Sequence, residues 1–249
     1  MARFDGKRIL ITGGTSGIGL ATALRIVDEG GEVAVTGTSQ DHLDEAGRRL
    51  PSGSLVLRND SLDPAEADVL AEKVKDQMGG LDGAYLNAGY GKFWATEDSD
   101  ADSFDHIMNV NVRGPVLQMA RLKPMLNDNA AVLLTSSVAG YLGQAEGAVY
   151  GATKIACMAL ARSWAADLAP RGIRVNAVCP GPIDTRFFEG TGMSKDEQED
   201  FVETVKQAVP LGRVGTADEV AAVACFLLSG DASYVSGSEY VVDGGMTKR

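Results

Sequence analysis

The sequence predicts one α/β domain built on a doubly wound, mostly parallel sheet, and three observations predict it. Short β-branched apolar runs alternate with longer helical patterns from end to end of the 249 residues. The strand runs are almost continuously apolar, as strands covered on both faces must be. No Pro/Gly/Ser-rich linker, low-complexity tract or fixed-period repeat interrupts them, and an α/β domain can reach ~250 residues as a single unit.

Taken in order, Arg8–Thr12 reads as a strand and Gly17–Glu29 as a helix with Ile18, Ala21, Leu24 and Val27 on one face. Glu32–Gly37 is a second strand, Asp41–Leu50 a helix that Asp41 would cap, and Ser54–Arg58 a third strand. Pro64–Met78 carries Pro in its first turn and meets Gly79-Gly80 as a stop. Asp82–Asn87, Ala130–Ser136 and Gly172–Val178 are further strands, with long helices at about 102–126 and 148–169 between them. Helices near 195–209 and 216–229 and a last strand near Ser238–Val242 follow. Pro180–Lys195 has no clear periodicity, and long loops of this kind are often functional, so a substrate loop is expected at about 183–200. The expected architecture is a Rossmann-type sheet spanning residues 1–249 as one domain.

Charge and composition narrow the function. With 23 Lys+Arg against 34 Asp+Glu the net charge is −11, which repels phosphate backbones and anionic lipid, so neither nucleic acid nor a membrane is an expected partner. No apolar run approaches the ~20 residues of a membrane span. The start, Met1-Ala2-Arg3-Phe4-Asp5, has no apolar signal-peptide stretch, so a cytoplasmic protein is expected. Cys157, Cys179 and Cys225 are scattered among apolar neighbours and read as buried free thiols. Of the two histidines, His42 sits in a polar stretch and is expected to be solvated, while His106 falls in a helix. So few histidines and no Asp-x-Asp-x-Asp-Gly loop leave no expected metal site.

Two constellations carry chemistry. Thr12-Gly13-Gly14-Thr15-Ser16-Gly17-Ile18-Gly19 follows the first strand and opens into a helix. There, glycines let the backbone approach a pyrophosphate and the helix start offers free N–H groups. Farther on, Tyr150-Gly151-Ala152-Thr153-Lys154 places a phenol and an ammonium four residues apart, on one helix face. A free phenol titrates near ~10, and a neighbouring cation favours its ionised form, making it a usable general acid/base. Ser136-Ser137 closes the preceding strand, at the sheet edge where open α/β sheets bind ligands.

On these residues the chain resembles a short-chain dehydrogenase/reductase over essentially its whole length. The resemblance also rests on Asn59-Asp60, Asn87-Ala88-Gly89, Asn111, Pro180-Gly181-Pro182-Ile183-Asp184-Thr185 and Asp243-Gly244-Gly245. It departs from the family's usual Asn-Asn-Ala-Gly at Leu86, and Ser61 replaces a common Val or Leu. What the resemblance implies is NAD(P)-dependent hydride transfer between a ketone and a secondary alcohol. Ser137, set by its distance to Tyr150, would orient the substrate oxygen, Tyr150 would move the proton, and Ser136 would be structural. Lys154 would favour the phenolate and hold the nicotinamide ribose, and Asn111 would hold a water in the relay. Gly13, Thr15, Ser16, Gly17, Ile18 and Gly19 would hold the pyrophosphate, and Asp60 and Ser61 the adenine. Asn87, Ala88 and Gly89 would line the cleft, and Pro180, Gly181, Ile183 and Thr185 its nicotinamide end.

NADP is the expected preference, modestly, with NAD accepted. Strand two ends at Gly37 rather than at an acid that would bind the ribose and repel a 2′-phosphate, and Thr38 and Ser39 offer hydroxyls. No basic residue strengthens that site. Asp placed at Gly37 would swing the preference towards NAD. The expected substrate is a small-molecule carbonyl or alcohol, gripped by Tyr90–Trp94, Ala139–Gln144 and Phe187–Lys195, with Phe93, Trp94, Tyr141, Phe187 and Phe188 as apolar walls. The alternatives are a 3-oxoacyl reductase acting on acyl carrier protein and a non-catalytic dinucleotide-binding regulator. Acyl carrier protein is acidic, and Asn127-Asp128-Asn129 with the net charge of −11 disfavours its docking. A homotetramer is expected, with Ala152, Ala156, Ala159 and Ala166 offering a small-residue packing face on their helix.

Overall fold

The computed structural model describes residues 2–185, 194 and 203–248. Among these the strands are β1 (Arg8–Thr12), β2 (Glu32–Gly37), β3 (Leu55–Arg58), β4 (Leu81–Leu86), β5 (Leu126–Thr135), β6 (Arg174–Pro180), β7 (Ile183–Asp184), β8 (Gly215–Thr216) and β9 (Glu239–Val242). Seven form one sheet in the order β3-β2-β1-β4-β5-β6-β9, parallel throughout. β7 and β8 make a separate two-stranded ribbon. The strand order reverses between β1 and β4, and the crevice outside their carboxyl ends is where such sheets take ligands.

The helices are α1 (Gly17–Asp28), α2 (Gln40–Arg49), α3 (Glu66–Met78), α4 (Ala101–Met108), α5 (Gly114–Leu122), α6 (Ala148–Leu168) and α7 (Ala217–Leu228), with residues 203–208 also helical. Two apolar layers hold them to the sheet. Leu70, Val74, Met119, Leu122, Cys157 and Ala161 fix α3, α5 and α6 on one face. Leu20, Ala23, Ile26, Ala46, Val220 and Ala224 fix α1, α2 and α7 on the other. No described helix is long and apolar enough to cross a membrane.

The structure corrects the sequence reading in several places. On α1 the sheet-facing residues are Leu20, Ala23 and Ile26, whereas Ile18, Leu24 and Val27 are half-buried at the flank. α2 is capped by Ser39, so Asp41 lies inside its first turn, favourable to the helix dipole. α3 starts at Glu66, after an Asp63 side chain takes the Ala65 N–H at 2.9 Å, which leaves Pro64 outside it. The helix expected over 102–126 is split by a π turn, Asn109–Arg113, between α4 and α5. Pro115 has no N–H with which to close an α bond onto the Asn111 carbonyl, so the regular ladder fails there. The β7–β8 ribbon, two residues a side, is too short to pattern. Most of the expected helix near 195–209 and of the loop 183–200 lies outside the described residues.

Candidate active site

A cleft of about 1270 Å³ opens at the carboxyl edge of the sheet. One end begins at the glycine turn, where Gly13 has φ +62 and a Cβ there would stand 2.8 Å from Ala88 Cα. Side chains at Gly13 or Gly19 would push this turn away from β4 and from itself, since a Cβ on Gly19 would meet Gly13 O at 2.3 Å. Gly19 is therefore a packing residue behind the wall, while Gly13, Thr15, Ser16, Gly17 and Ile18 line the cleft. Ser16 caps α1 without a side-chain bond to it, so the first-turn N–H groups face the cleft without a capping hydroxyl. This is a cradle suited to a pyrophosphate.

Along the same wall lie Thr38, Ser39, Asp60 and Ser61. Asp60 folds its own loop, accepting the Leu62 N–H at 3.0 Å, and Ser61 Oγ accepts from Gln118 at 3.1 Å. His42, expected to be solvated, is half-buried and lines the cleft near Ser39, because it turns inward from the first turn of α2. At Gly37 a Cβ would stand 2.2 Å from Thr15 Oγ1. Thr15 is buried, so the space that an acid at strand two's end would need is filled by this hydroxyl.

Asn87, Ala88 and Gly89 connect the glycine turn to the middle of the cleft. Asn87 Nδ2 donates to Gly13 O at 3.0 Å and its Oδ1 accepts from Thr135 at 2.8 Å, so it ties the ends of β1, β4 and β5 together. A Cβ on Gly89 would meet Lys154 Nζ at 3.1 Å, and Gly89 thus gives that side chain room.

The chemistry-bearing side chains converge here. Tyr150 and Lys154 occupy the first two turns of α6, with Lys154 Nζ 5.6 Å from the centre of the Tyr150 ring. Lys154 is 4% exposed, and its ammonium donates to Thr135 O at 3.3 Å. Ser137 follows β5 and caps a short 3-10 turn, Val138–Gly140, where its Oγ accepts the Ala139 N–H at 3.1 Å. Ser136 is turned away, donating to Lys154 O at 2.7 Å, and so fixes α6 to β5. Asn111, in the π turn, is buried behind the wall rather than lining it. Its amide brackets Tyr90, donating to Tyr90 O at 2.8 Å and accepting Tyr90 N–H at 2.7 Å, and also donates to Thr153 Oγ1 at 3.0 Å. Its main-chain carbonyl accepts from the Cys157 thiol at 3.5 Å.

The far end is walled by Tyr90, Phe93, Leu142 and Gln144. Pro180, Gly181 and Ile183 also line the cleft, and Thr185 reaches back to the glycine turn, where a Cβ on Gly17 would lie 3.5 Å from its Cβ. The Phe93 ring lies 5.3 Å from that of Tyr150, and His106, unassigned by the sequence, lines this end at 4.7 Å from the Tyr90 ring. Two expected wall residues are elsewhere. Trp94 donates to Ser99 at 3.0 Å, and Tyr141 gives its hydroxyl to Glu239, because each finds a polar partner off the cleft. Phe187 and Phe188 lie outside the described residues.

All three cysteines are buried and unpaired with one another. Burial pushes the Cys179 thiol up to about 11 and that of Cys225 up to about 12, and raises Cys157 as well. Thiolate is the reactive form, so the native protein is expected to resist a chromogenic disulfide at pH 7 until it is unfolded. Rapid release of one equivalent from folded protein would contradict this placement.

A family model described as Enoyl-(Acyl carrier protein) reductase matches residues 13–247. The chain is 36% identical to 2-(S)-hydroxypropyl-CoM dehydrogenase 3 of Xanthobacter autotrophicus, covering 98% of both chains. It is 34% identical to a 3-oxoacyl-(acyl-carrier-protein) reductase of Thermotoga maritima, over 98% of this chain and 99% of the relative. Among solved structures, a short-chain dehydrogenase/reductase from Serratia marcescens superposes with TM-score 0.91 at 29% identity, covering 98% of this chain and 99% of that one.

Proposed function

The chain belongs to the short-chain dehydrogenase/reductase family of oxidoreductases, and from that premise we propose that it interconverts a small ketone and its secondary alcohol, with NADP the preferred dinucleotide and NAD a poorer one. One observation carries the reading. Tyr150 and the buried Lys154 stand a turn apart on α6, in the wall of the cleft that also holds Ser137 and the glycine turn. The dinucleotide fits the glycine cradle and, when bound, supplies or accepts the hydride.

The chain's own residues do the rest. Ser137 Oγ already accepts from Ala139, so its proton is the one it can offer to a carbonyl oxygen. That hydrogen bond only orients the oxygen; Tyr150 delivers the one proton it takes up in reduction and removes it in oxidation, work typically worth ~10²–10⁴ in rate. Lys154 stabilises the phenolate left behind, and the Asn111 carbonyl holds a water through which the proton is replaced. Thr15, Thr38 and Ser39 present hydroxyls rather than a carboxylate to the ribose end, which favours a phosphate there modestly.

A free small molecule suits the surface better than an acidic carrier protein. Two cations at the cleft that such a carrier would seek are already paired: Arg213 with Glu219 at 2.6 Å and Lys206 with Glu203 at 2.9 Å. A steady-state panel of ketones, polyols and acyl thioesters with both dinucleotides tests the reading. Higher catalytic efficiency with NAD than NADP would overturn the preference, and dinucleotide binding without turnover on any substrate would favour a non-catalytic regulator.

A homotetramer is the expected assembly. Ala152, Ala159 and Ala166 lie on the outer face of α6 beside exposed Ile155, and exposed Phe104 on α4 and Val116 on α5 add apolar surface. Covering such a surface with a second copy follows from its helix-packing geometry. Light scattering that finds only the 26.1 kDa single chain would refute it.

A further inference from the structure

The turn that carries Ser137 is held from two sides. On one side it rests on α6, where a Cβ on Gly151 would stand 3.1 Å from Ala139 O and one on Gly140 would stand 2.8 Å from Met158 Cε. Gly151 follows Tyr150 directly, so the serine's turn touches the turn that bears the phenol. On the other side stands Tyr141, whose N–H closes the turn onto Val138 O at 2.8 Å. Its hydroxyl donates to one carboxylate oxygen of Glu239, the first residue of β9. The other oxygen of Glu239 takes the Arg162 guanidinium, two helical turns beyond Lys154 on α6. The Glu239 side chain is only 19% exposed, while Tyr141 and Arg162 reach it from the surface side. One carboxylate on the sheet's last strand therefore joins the two segments that carry the reacting groups.

We infer that Glu239 is a positioning residue: through Tyr141 and Arg162 it fixes the Ser137 hydroxyl relative to the Tyr150 phenol. The inference rests on the proposed roles of Ser137 and Tyr150. Bonds to a carboxylate are stronger than neutral ones, so losing this acceptor frees the turn on its β9 side while its α6 side stays packed. A shift of the serine by even ~1 Å can cost up to ~10²-fold in rate.

Tyr141→Phe, Glu239→Ala and Glu239→Gln test it, read first by hydrogen exchange at the Gly140, Tyr141 and Leu142 amides and then by kinetics. Tyr141→Phe and Glu239→Ala are each expected to speed exchange at these amides about tenfold and to lower kcat/KM for the ketone about tenfold. Dinucleotide dissociation constants and melting temperature should stay near wild type. The double variant should be no worse than Glu239→Ala alone, because that substitution already cuts the Tyr141 tie. Glu239→Gln keeps an acceptor for the Tyr141 hydroxyl and should recover most of the activity. Unchanged exchange in Tyr141→Phe would overturn the proposal, as would losses of activity, dinucleotide affinity and melting temperature in step. Faster exchange in a protein whose wild type reduces no ketone would uphold the anchor and overturn the reaction it serves.

Discussion

Tyr150→Phe is expected to remove turnover by ~10²–10⁴-fold, the range general acid–base work supplies, while leaving both dinucleotide dissociation constants within a few-fold. The phenyl ring keeps its packing against Phe93, at 5.3 Å between ring centres, so the cleft keeps its shape and loses only the proton donor. Lys154→Ala should behave differently. It removes a buried charge 5.6 Å from the phenol ring and, on the proposed reading, a group that holds the nicotinamide ribose, so rate and dinucleotide affinity should fall together. If Tyr150→Phe keeps a tenth of wild-type activity, the proton is moved by another group.

The second large effect is a coupled one. Strand-end acids read the ribose hydroxyls and repel a 2′-phosphate, so Gly37→Asp is the obvious route to an NAD enzyme. The structure leaves it no room, because the new Cβ would lie 2.2 Å from Thr15 Oγ1 and 3.1 Å from Thr15 Cβ. Gly37→Asp alone must displace the glycine turn, and it is expected to weaken both dinucleotides. With Thr15→Ala the hydroxyl is gone and the remaining approach needs only a few tenths of an ångström. The paired variant should shift the NADH/NADPH affinity ratio towards NADH by about ten- to a hundredfold, the ~1.5–3 kcal/mol of hydrogen bonds to a charged group. Titration of intrinsic fluorescence with each dinucleotide would measure this. A single Gly37→Asp variant that binds NADH more tightly than wild type would refute the coupling.

The contrast between Gly37 and Thr15 marks how far the sequence could be read. Strand cores such as Arg8–Thr12 and Glu32–Gly37 carry their structure in local patterning, and so did the glycine turn and the Tyr150/Lys154 pair. Contacts between segments far apart in the chain do not. Nothing near Gly37 reveals that Thr15 fills its side-chain space, and nothing near Tyr141 reveals Glu239 on β9. His42 shows the same limit: its polar neighbours describe the outer face of α2, while its own position in the helix turns it towards the cleft. The break in the long helix had a local sign in Gly114-Pro115, which the surrounding apolar periodicity outweighed.

The π turn at Asn109–Arg113 also sets helical phase. Phe104 and Val116 are both exposed, at 46% and 37%. They are twelve residues apart, which at about 100° per residue would place them about 120° apart around an uninterrupted α-helix. One extra residue taken up by the π turn returns about 100°, bringing the two side chains onto nearly the same line along the surface. A single-codon deletion between 109 and 113 would restore the regular ladder and rotate one half of the helix against the other. Asn111 would leave Tyr90, and Phe104 and Val116 would part. At this point in the gene, substitutions are tolerated more readily than changes of length.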